Sequence, residues 1–307
     1  MKGRIGVVVP CRDEEATIGR CLRALRAEAA VGRIVVVDNG SVDASPTIAA
    51  ELADRLVERP GVRISALRNE GARLLLAEDP GLEHLAFVDA DCEVAPGWAD
   101  AALDALRDAD LVGSRTLAPA GAGWVASRWA AIERRTAGAD ALLWSQHLVT
   151  TPDLWERLGG FDETLVTGED ADLSLRTRRL GGRVALVEEM TTVHHGFPPS
   201  LRRFVRREVW HTSAPGWFPR MSGRSRLVVV ATAGWLVLGT LAGARAASGR
   251  GEALLLWSLA SSVGVPALGL VAGGSPRHCA KDGVLVGLWN LVRAARLLQP
   301  SAVGSLR

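Results

Sequence analysis

Three short apolar runs, each closing on polar or acidic residues, constrain the fold of this chain most. They read Ile5-Gly-Val-Val-Val9 into Pro10-Cys-Arg-Asp-Glu14, Arg33-Ile-Val-Val-Val-Asp38 into Asn-Gly-Ser, and His84-Leu-Ala-Phe-Val-Asp89 into Ala-Asp. Runs this apolar and β-branched suit strands covered on both faces, not strands with one wet face. Helical patterns lie between them. Ile18, Leu22 and Leu25 recur at helical spacing, and Ser45-Pro46 is a cap followed by proline at the first helical position. Further helices are expected after Asn69 and over Pro96 to Arg107, then a strand-like Leu111 to Gly113. The alternation predicts an α/β domain with a mostly parallel sheet and helices on both faces. Such sheets bind ligands at the carboxyl ends of their strands, and here those ends gather acids on one rim. Residues 115–150 hold Trp124, Trp129 and Trp144 without a clear period. After them, Thr151-Pro152 opens a short helix, and a second runs from near Glu169 to Arg179.

The C-terminal third differs. Hydrophobic residues make up 48% of the 307-residue chain, and the surplus collects after about residue 226. Leu227 to Ala244 and Ala253 to Gly274 carry no charge. As helices they would be roughly 27 and 33 Å long, enough to cross a hydrocarbon core. Both are rich in Gly and Ala, so a buried helical hairpin is the plainer alternative. Arg220, Arg224 and Arg226 precede the first segment, and Arg277, His278, Lys281, Arg293 and Arg296 follow the second. That charge pattern puts both ends in the cytoplasm. Residues 284–298 are too short to span and are expected to lie in the interface. The sequence thus divides into a catalytic domain over 1–215 and a membrane region over 216–307. No signal peptide opens the sequence, and Cys11, Cys21, Cys92 and Cys279 form no disulfide-like framework, which fits a reducing compartment. A net charge of only +2 gives no support for nucleic-acid binding.

The chemistry sits in an ordered set of motifs. Asp89-Ala-Asp91, just past a strand, can hold a divalent cation that also grips a diphosphate, and hard oxygen ligands suit Mg²⁺ or Mn²⁺. Alone, such a pair is common in solvated loops. It is accompanied, in order, by Val7-Val-Val-Pro-Cys-Arg-Asp-Glu-Glu15, Val35-Val-Val-Asp-Asn-Gly-Ser-Val-Asp43 and Arg68-Asn-Glu-Gly-Ala-Arg73 upstream. Downstream come Gly159-Gly-Phe-Asp-Glu163 and Gly168-Glu-Asp-Ala-Asp-Leu173. Over about residues 4–210 the chain resembles the family-2 glycosyltransferases of the GT-A fold.

That resemblance implies an inverting transfer from a UDP- or GDP-sugar, and roles that pass position by position. Asp38 matches the acid that hydrogen-bonds the nucleobase, although Asn39 stands where the family has a second acid. As a plainer reading, Asp38 is a strand-end turn residue. Pro10 and Glu14 match the lining of base and ribose, and Arg68 a basic residue that holds the nucleotide. Asp89 and Asp91 match the metal and diphosphate motif. Asp170, beside Glu169, matches the catalytic base that takes the acceptor proton. Both acids would equally favour a helix N-terminus. Gly160, Phe161 and Asp162 match the acceptor side. His194, in His194-His195-Gly196, matches a histidine that reaches the metal, or it is an exposed loop histidine. Arg207 and Trp210 are similar to a segment near the diphosphate or acceptor, or else belong to a membrane-skimming helix.

Three rivals are weaker. A nucleotidyltransferase or a dehydrogenase needs a glycine-rich loop after the first strand, and Pro10-Cys-Arg-Asp-Glu14 has no glycine. A catalytically inactive, membrane-tethered nucleotide-sugar-binding protein would not need Asp38, Asp89, Asp91 and Asp170 together. The expectation is therefore a glycosyltransferase at the inner membrane with its catalytic domain facing the cytoplasm. Its acceptor would be lipid-linked or a cell-surface glycan.

Overall fold

Strand β1 (Ile5–Cys11) is buried along its whole length, and its side chains alternate between two cores as a period of two requires. Ile5, Val7, Val9 and Cys11 enter one core, and Val8 enters the other. Strand β2 (Val31–Asp38) does the same, with Ile34 and Val36 on one side and Val35 and Val37 on the other. Residues in β4 (His84–Val88) repeat the pattern, Ala86 and Val88 opposing Leu85 and Phe87. Two-sided burial explains why these runs lack polar alternation. The computed structural model describes residues 5–136, 142–212, 223–247, 257 and 277–297.

The sheet order is β3-β2-β1-β4-β7-β6-β8-β5. Here β3 is Arg55–Glu58, β5 Cys92–Val94, β6 Leu111–Leu117, β7 His147–Thr150 and β8 Val184–His194. The first four strands in that order are parallel, as expected. The other half is mixed: β7 runs antiparallel to both β4 and β6, and β5 antiparallel to β8, whereas β6 and β8 are parallel. Among the described residues six of the eight strands run the same way, so the expectation of a mostly parallel sheet holds, with β7 and β5 the two reversed strands. Consequently the functional rim receives the carboxyl ends of β1, β2, β4 and β8 but the amino end of β7.

Helices α1 (Ile18–Arg26) and α4 (Trp98–Ala105) fill one core with Ile18, Leu22, Leu25 and Trp98. Helix α2 (Ser45–Leu52) begins on the expected Ser-Pro pair. The opposite core takes α3 (Ile64–Glu78), α6 (Pro152–Leu158) and α7 (Glu169–Arg179) through Leu67, Leu75, Trp155 and Leu173.

The chain forms two compact units, one of residues 1–121 and 137–197, the other of residues 122–136 and 198–307. The described part of the second is helical: α5 (Trp124–Thr136), α8 (Leu201–His211), α9 (Gly223–Ala247) and α10 (Cys279–Leu297). Trp129 meets Phe204 edge-on at 4.8 Å, and Val229, Ala233 and Ala294 pack together. Polar pairs are buried with them. Arg128 donates to both oxygens of the fully buried Asp282 at 2.7 and 2.8 Å, and Arg293 to Glu208 at 2.8 Å. The sequence boundary at 215 therefore falls inside this unit.

The membrane hairpin is not supported. Among the described residues no helix is long and apolar enough to cross a membrane. The first segment lies in α9, where Gly234, Gly239, Gly243, Thr232 and Thr240 dilute the apolar residues; the second lies outside the described residues except for Trp257. Residues 284–297 form most of α10, whose Leu285, Asn290 and Ala294 are buried.

Gly71 sets how closely α3 approaches the sheet. A Cβ there would meet Val8 at 2.4 Å and Val37 at 3.2 Å. Gly71→Ala should therefore destabilise the fold by about 1–3 kcal/mol, the usual cost of overpacking, as read from urea unfolding. An unchanged midpoint would show that α3 is not seated this tightly.

Candidate active site

Turns after β1 and β2 are laced together by side chains. Asp13 has a left-handed backbone (φ 55°), which an acid tolerates better than most residues. Its amide donates to Ser41 Oγ at 2.9 Å, and its carboxylate accepts from the Val42 amide at 2.9 Å. The Glu14 amide donates to Ser45 Oγ at 2.7 Å. Between these turns and the end of β4 lies a cleft of about 310 Å³ lined by Pro10, Cys11, Arg12, Glu14, Asn39, Ile64, Leu67 and residues 89–91.

Asp38 is buried, and its carboxylate is spent on its own turn. It accepts from the Gly40 and Ser41 amides at 2.9 and 2.8 Å, and from Ser41 Oγ. This geometry is that of the strand-end turn. Asn39 faces the cleft instead and is tied both ways to Val62: Nδ2 donates to its carbonyl at 3.0 Å, and Oδ1 accepts from its amide at 3.2 Å. An aspartate could not make the first of these bonds.

Arg68 is 1% exposed. Its Nη1 donates to Glu169 at 2.7 Å and its Nη2 to Asp89 at 2.6 Å, with the guanidinium 5.5 Å from the centre of the Phe161 ring. The guanidinium thus ties the end of β4 to the start of α7, rather than pointing freely at the cleft. Burial raises the pKa of Asp89, and Arg68 works against that rise. Glu14, which also lines the cleft, is raised first by burial, although Thr17 donates to it at 2.7 Å.

Asp91 and His194 meet at 3.0 Å, because β5 pairs Cys92 with His194 and so places the two chain ends side by side. Burial alone would raise the Asp91 pKa, but hydrogen bonding and charge from His194 bring it below the ordinary value. A Cβ on Gly196 would lie 2.0 Å from the Asp91 carboxylate and 2.9 Å from His194 Nε2, so only glycine leaves this space open. Asp91, Cys92 and His194 offer ligand atoms within 4.8 Å of one another. Burial holds the Cys92 thiol well above its ordinary pKa, which leaves carboxylate oxygen and imidazole nitrogen as the donors. Such a set fits a hard divalent cation.

Glu169 and Asp170 are separated by their partners. Glu169 is buried against Arg68, with Ser145 Oγ 3.4 Å away. Among the described residues Asp170 makes no ion pair. It accepts from the Ser145 amide at 3.1 Å and the Ala171 amide at 2.6 Å. Burial, and then the neighbouring Glu169 charge, push its pKa up to about 7.

The remaining candidates have structural contacts. Asn69 clamps the Phe161 backbone, donating to its carbonyl and accepting from its amide at 2.9 Å each. The Phe161 ring packs edge-on against Phe87 at 4.9 Å, the Gly160 carbonyl accepts from Arg176 at 2.9 Å, and Asp162 Oδ1 accepts from the Thr164 amide at 2.9 Å. These three build a turn under the site. Arg207 and Trp210 belong to the helical unit, where Arg207 lies 3.9 Å from Glu133 and Trp210 is exposed. Ser145 and Gln146 were not anticipated. Both precede β7, whose antiparallel course brings its amino end to the rim.

Residues 6–153 match the family described as Glycosyl transferase family 2. That match covers just under half of the chain and takes in β1, β2 and β4 with the acids at 38, 89 and 91. It is 25% identical over 224 residues to the pre-mycofactocin glycosyltransferase of Mycobacterium tuberculosis, covering 67% of this chain and 46% of that protein. It is 30% identical over 115 residues to the putative glycosyltransferase EpsH of Bacillus subtilis, covering 35% of this chain and 32% of that one. The chain spans less than half the length of these curated relatives. Among solved structures, the Pyrobaculum calidifontis mannosyltransferase PcManGT, in complex with GDP-Man and Mn²⁺, is similar in fold. Its TM-score is 0.65 at 20% identity, with 97% of this chain and 87% of that one covered.

Removing the Arg68 guanidinium leaves two acids without their cation. Arg68→Ala should cost about 3–5 kcal/mol in urea unfolding at pH 7.5, as breaking a buried pair does. A loss below about 1 kcal/mol would mark the pair as an ordinary exposed one.

Proposed function

We propose that this chain transfers a sugar from a UDP- or GDP-linked donor to an acceptor hydroxyl, in one displacement that inverts the anomeric centre. One observation carries the reading: Arg68 joins Asp89 to Glu169, and so gathers the Asp91–His194 pair and Asp170 at one edge of the cleft. Pro10, Asn39, Ile64 and Leu67 offer an apolar wall with one amide for the nucleobase, while Asp38 shapes the turn beneath it. Asp91 and His194, with Asp89, would hold Mg²⁺ or Mn²⁺. The cation, when bound, supplies Lewis-acid neutralisation of charge on the leaving nucleoside diphosphate. The Mn²⁺ and GDP-Man of PcManGT are compatible with that assignment.

Asp170 is the general base. Its carboxylate is ordered by two amides and makes no ion pair among the described residues, and it takes the proton of the acceptor hydroxyl as that oxygen attacks. A double displacement would need an enzyme nucleophile. Burial pushes Cys11, the cleft's thiol, up to about 12, which keeps it protonated. Glu169 is occupied by Arg68. Inversion follows from a base without a nucleophile.

The acceptor reading is a lipid-linked sugar or a cell-surface glycan at the inner cytoplasmic membrane face. It is supported by α9, which exposes Val230, Val237, Leu238 and Leu241 after the exposed Arg226. Apolar residues beside arginine suit association with an anionic bilayer surface. Flotation with phosphatidylglycerol vesicles should recover the full chain, and Leu238→Glu with Leu241→Glu should abolish recovery. A chain that stays at the bottom of the gradient rules out this location.

Transfer or donor hydrolysis should require Mn²⁺ or Mg²⁺ and fail in Asp91→Asn. Because Asp170 must be ionised to accept a proton, kcat/KM should rise with pH and level off above about 7. An ordinary aspartate would give a flat profile there. Asp170→Asn should lower kcat by about 10²- to 10⁴-fold while Mn²⁺ affinity stays unchanged. A variant that keeps its turnover removes Asp170 from the role of base.

A further inference from the structure

Gln146 is half-buried at the amino end of β7, one residue before His147 pairs with Val88. Its backbone carbonyl accepts from the Asp89 amide at 3.2 Å. Its side-chain Nε2 lies 3.3 Å from His194 Nδ1, and the far side of that imidazole, Nε2, lies 3.0 Å from Asp91. Gln146 therefore touches both halves of the metal site without facing the cleft. Its Oε1 is buried and has no hydrogen-bond partner among the described residues.

An amide nitrogen can only donate, so in this arrangement His194 Nδ1 accepts. The ring proton is then on Nε2, directed at Asp91. A histidine that gives Nε2 to a cation must carry its proton on Nδ1 instead, and that proton needs an acceptor. The unpartnered Oε1 of Gln146 sits on the same amide. A half-turn of the terminal torsion, which is broad and roughly two-fold, presents it to Nδ1. The change is balanced: one proton leaves Nε2 and one is taken up at Nδ1. Phe197, 4.8 Å from the ring centre, holds the imidazole plane in place.

We propose that Gln146 is the positioning residue of the metal site, a two-way amide that donates to His194 in the metal-free enzyme and accepts from it when a cation is held. This rests on the metal reading above. It also explains why a glutamine suits the position: a residue with only a donor or only an acceptor would serve one of the two states.

The test uses the full chain with Mn²⁺ and Mg²⁺ as probes. Free Mn²⁺ measured by electron paramagnetic resonance gives the affinity of wild type, Gln146→Leu, Gln146→Glu and His194→Ala. The leucine variant should bind Mn²⁺ about 10- to 100-fold more weakly, as loss of a ligand's outer partner does. The glutamate variant keeps an acceptor for Nδ1–H and should recover most of that affinity. Nitrogen-15 spectra of the His194 ring should show the Nε2–H tautomer without metal and the Nδ1–H tautomer with Mg²⁺. That measurement on the wild-type chain stands even if the leucine variant does not fold. Equal binding by wild type and Gln146→Leu, equal losses in both glutamine variants, or a tautomer that Mg²⁺ leaves unchanged would each overturn the proposal. If wild type binds Mn²⁺ no better than His194→Ala, the metal assignment itself fails and this inference with it.

Discussion

The buried Arg68 guanidinium is the interaction on which the rest of the site depends. Asp89, Asp91, Glu169 and Asp170 come from two segments far apart in the chain and meet at one sheet edge. Four carboxylates in a partly dry cleft repel one another strongly, because the local dielectric screens them poorly. One cation placed between Asp89 and Glu169 offsets that repulsion, and its two donors fix the direction of each carboxylate. Gly71 and Asn69 serve the same end from α3. The first lets the helix approach β1 and β2, and the second holds the Phe161 turn on which the guanidinium rests.

This arrangement also sorts two adjacent acids into different chemistry. Glu169 and Asp170 are neighbours at a helix start, where the sequence offers no ground for separating them. Their side chains point to different partners. Glu169 reaches a cation and is neutralised by it. Asp170 accepts from two amides and, at 3.5 Å, from the Ser145 hydroxyl, and it feels the Glu169 charge beside it. Burial first, and then the Glu169 charge, raises the affinity of Asp170 for a proton, while the two amides and Arg68 work against that rise.

The first half of the sheet was legible because burial on both faces leaves a strong mark: Val7 to Val9, Ile34 to Val37 and Leu85 to Val88 have no room for polar residues. The rim acids at 89 and 91, and the start of α7 at Glu169, follow from the same runs and from the order of the motifs. What could not be read was direction. His147-Leu-Val-Thr150 is a four-residue strand in a stretch without a period, and nothing local says that it runs against its neighbours. Ser145 and Gln146 therefore read as loop residues, although the antiparallel course carries them to the rim. The Gly160–Asp162 motif is a different case. A turn that packs beneath a site and one that touches the acceptor use the same small, aromatic and acidic residues, and only contacts tell them apart. In the helical unit, the arginine partners of Asp282 and Glu208 are distant in sequence, so no local pattern marks these acids as buried.

A mixed sheet has a consequence for how such a site can be tuned. In a purely parallel sheet every rim residue follows a strand and is held by the turn that leads into a helix. Here β7 enters the rim from the opposite direction, so Ser145 and Gln146 are held by the ladder behind them: His147 to Thr150 are fixed on one side by β4 and on the other by β6. From that position the Ser145 amide donates to Asp170, and the Gln146 side chain lies 3.3 Å from His194 Nδ1. A strand that enters against its neighbours thus adds polar residues to a rim that parallel strands alone would leave to the loops following them.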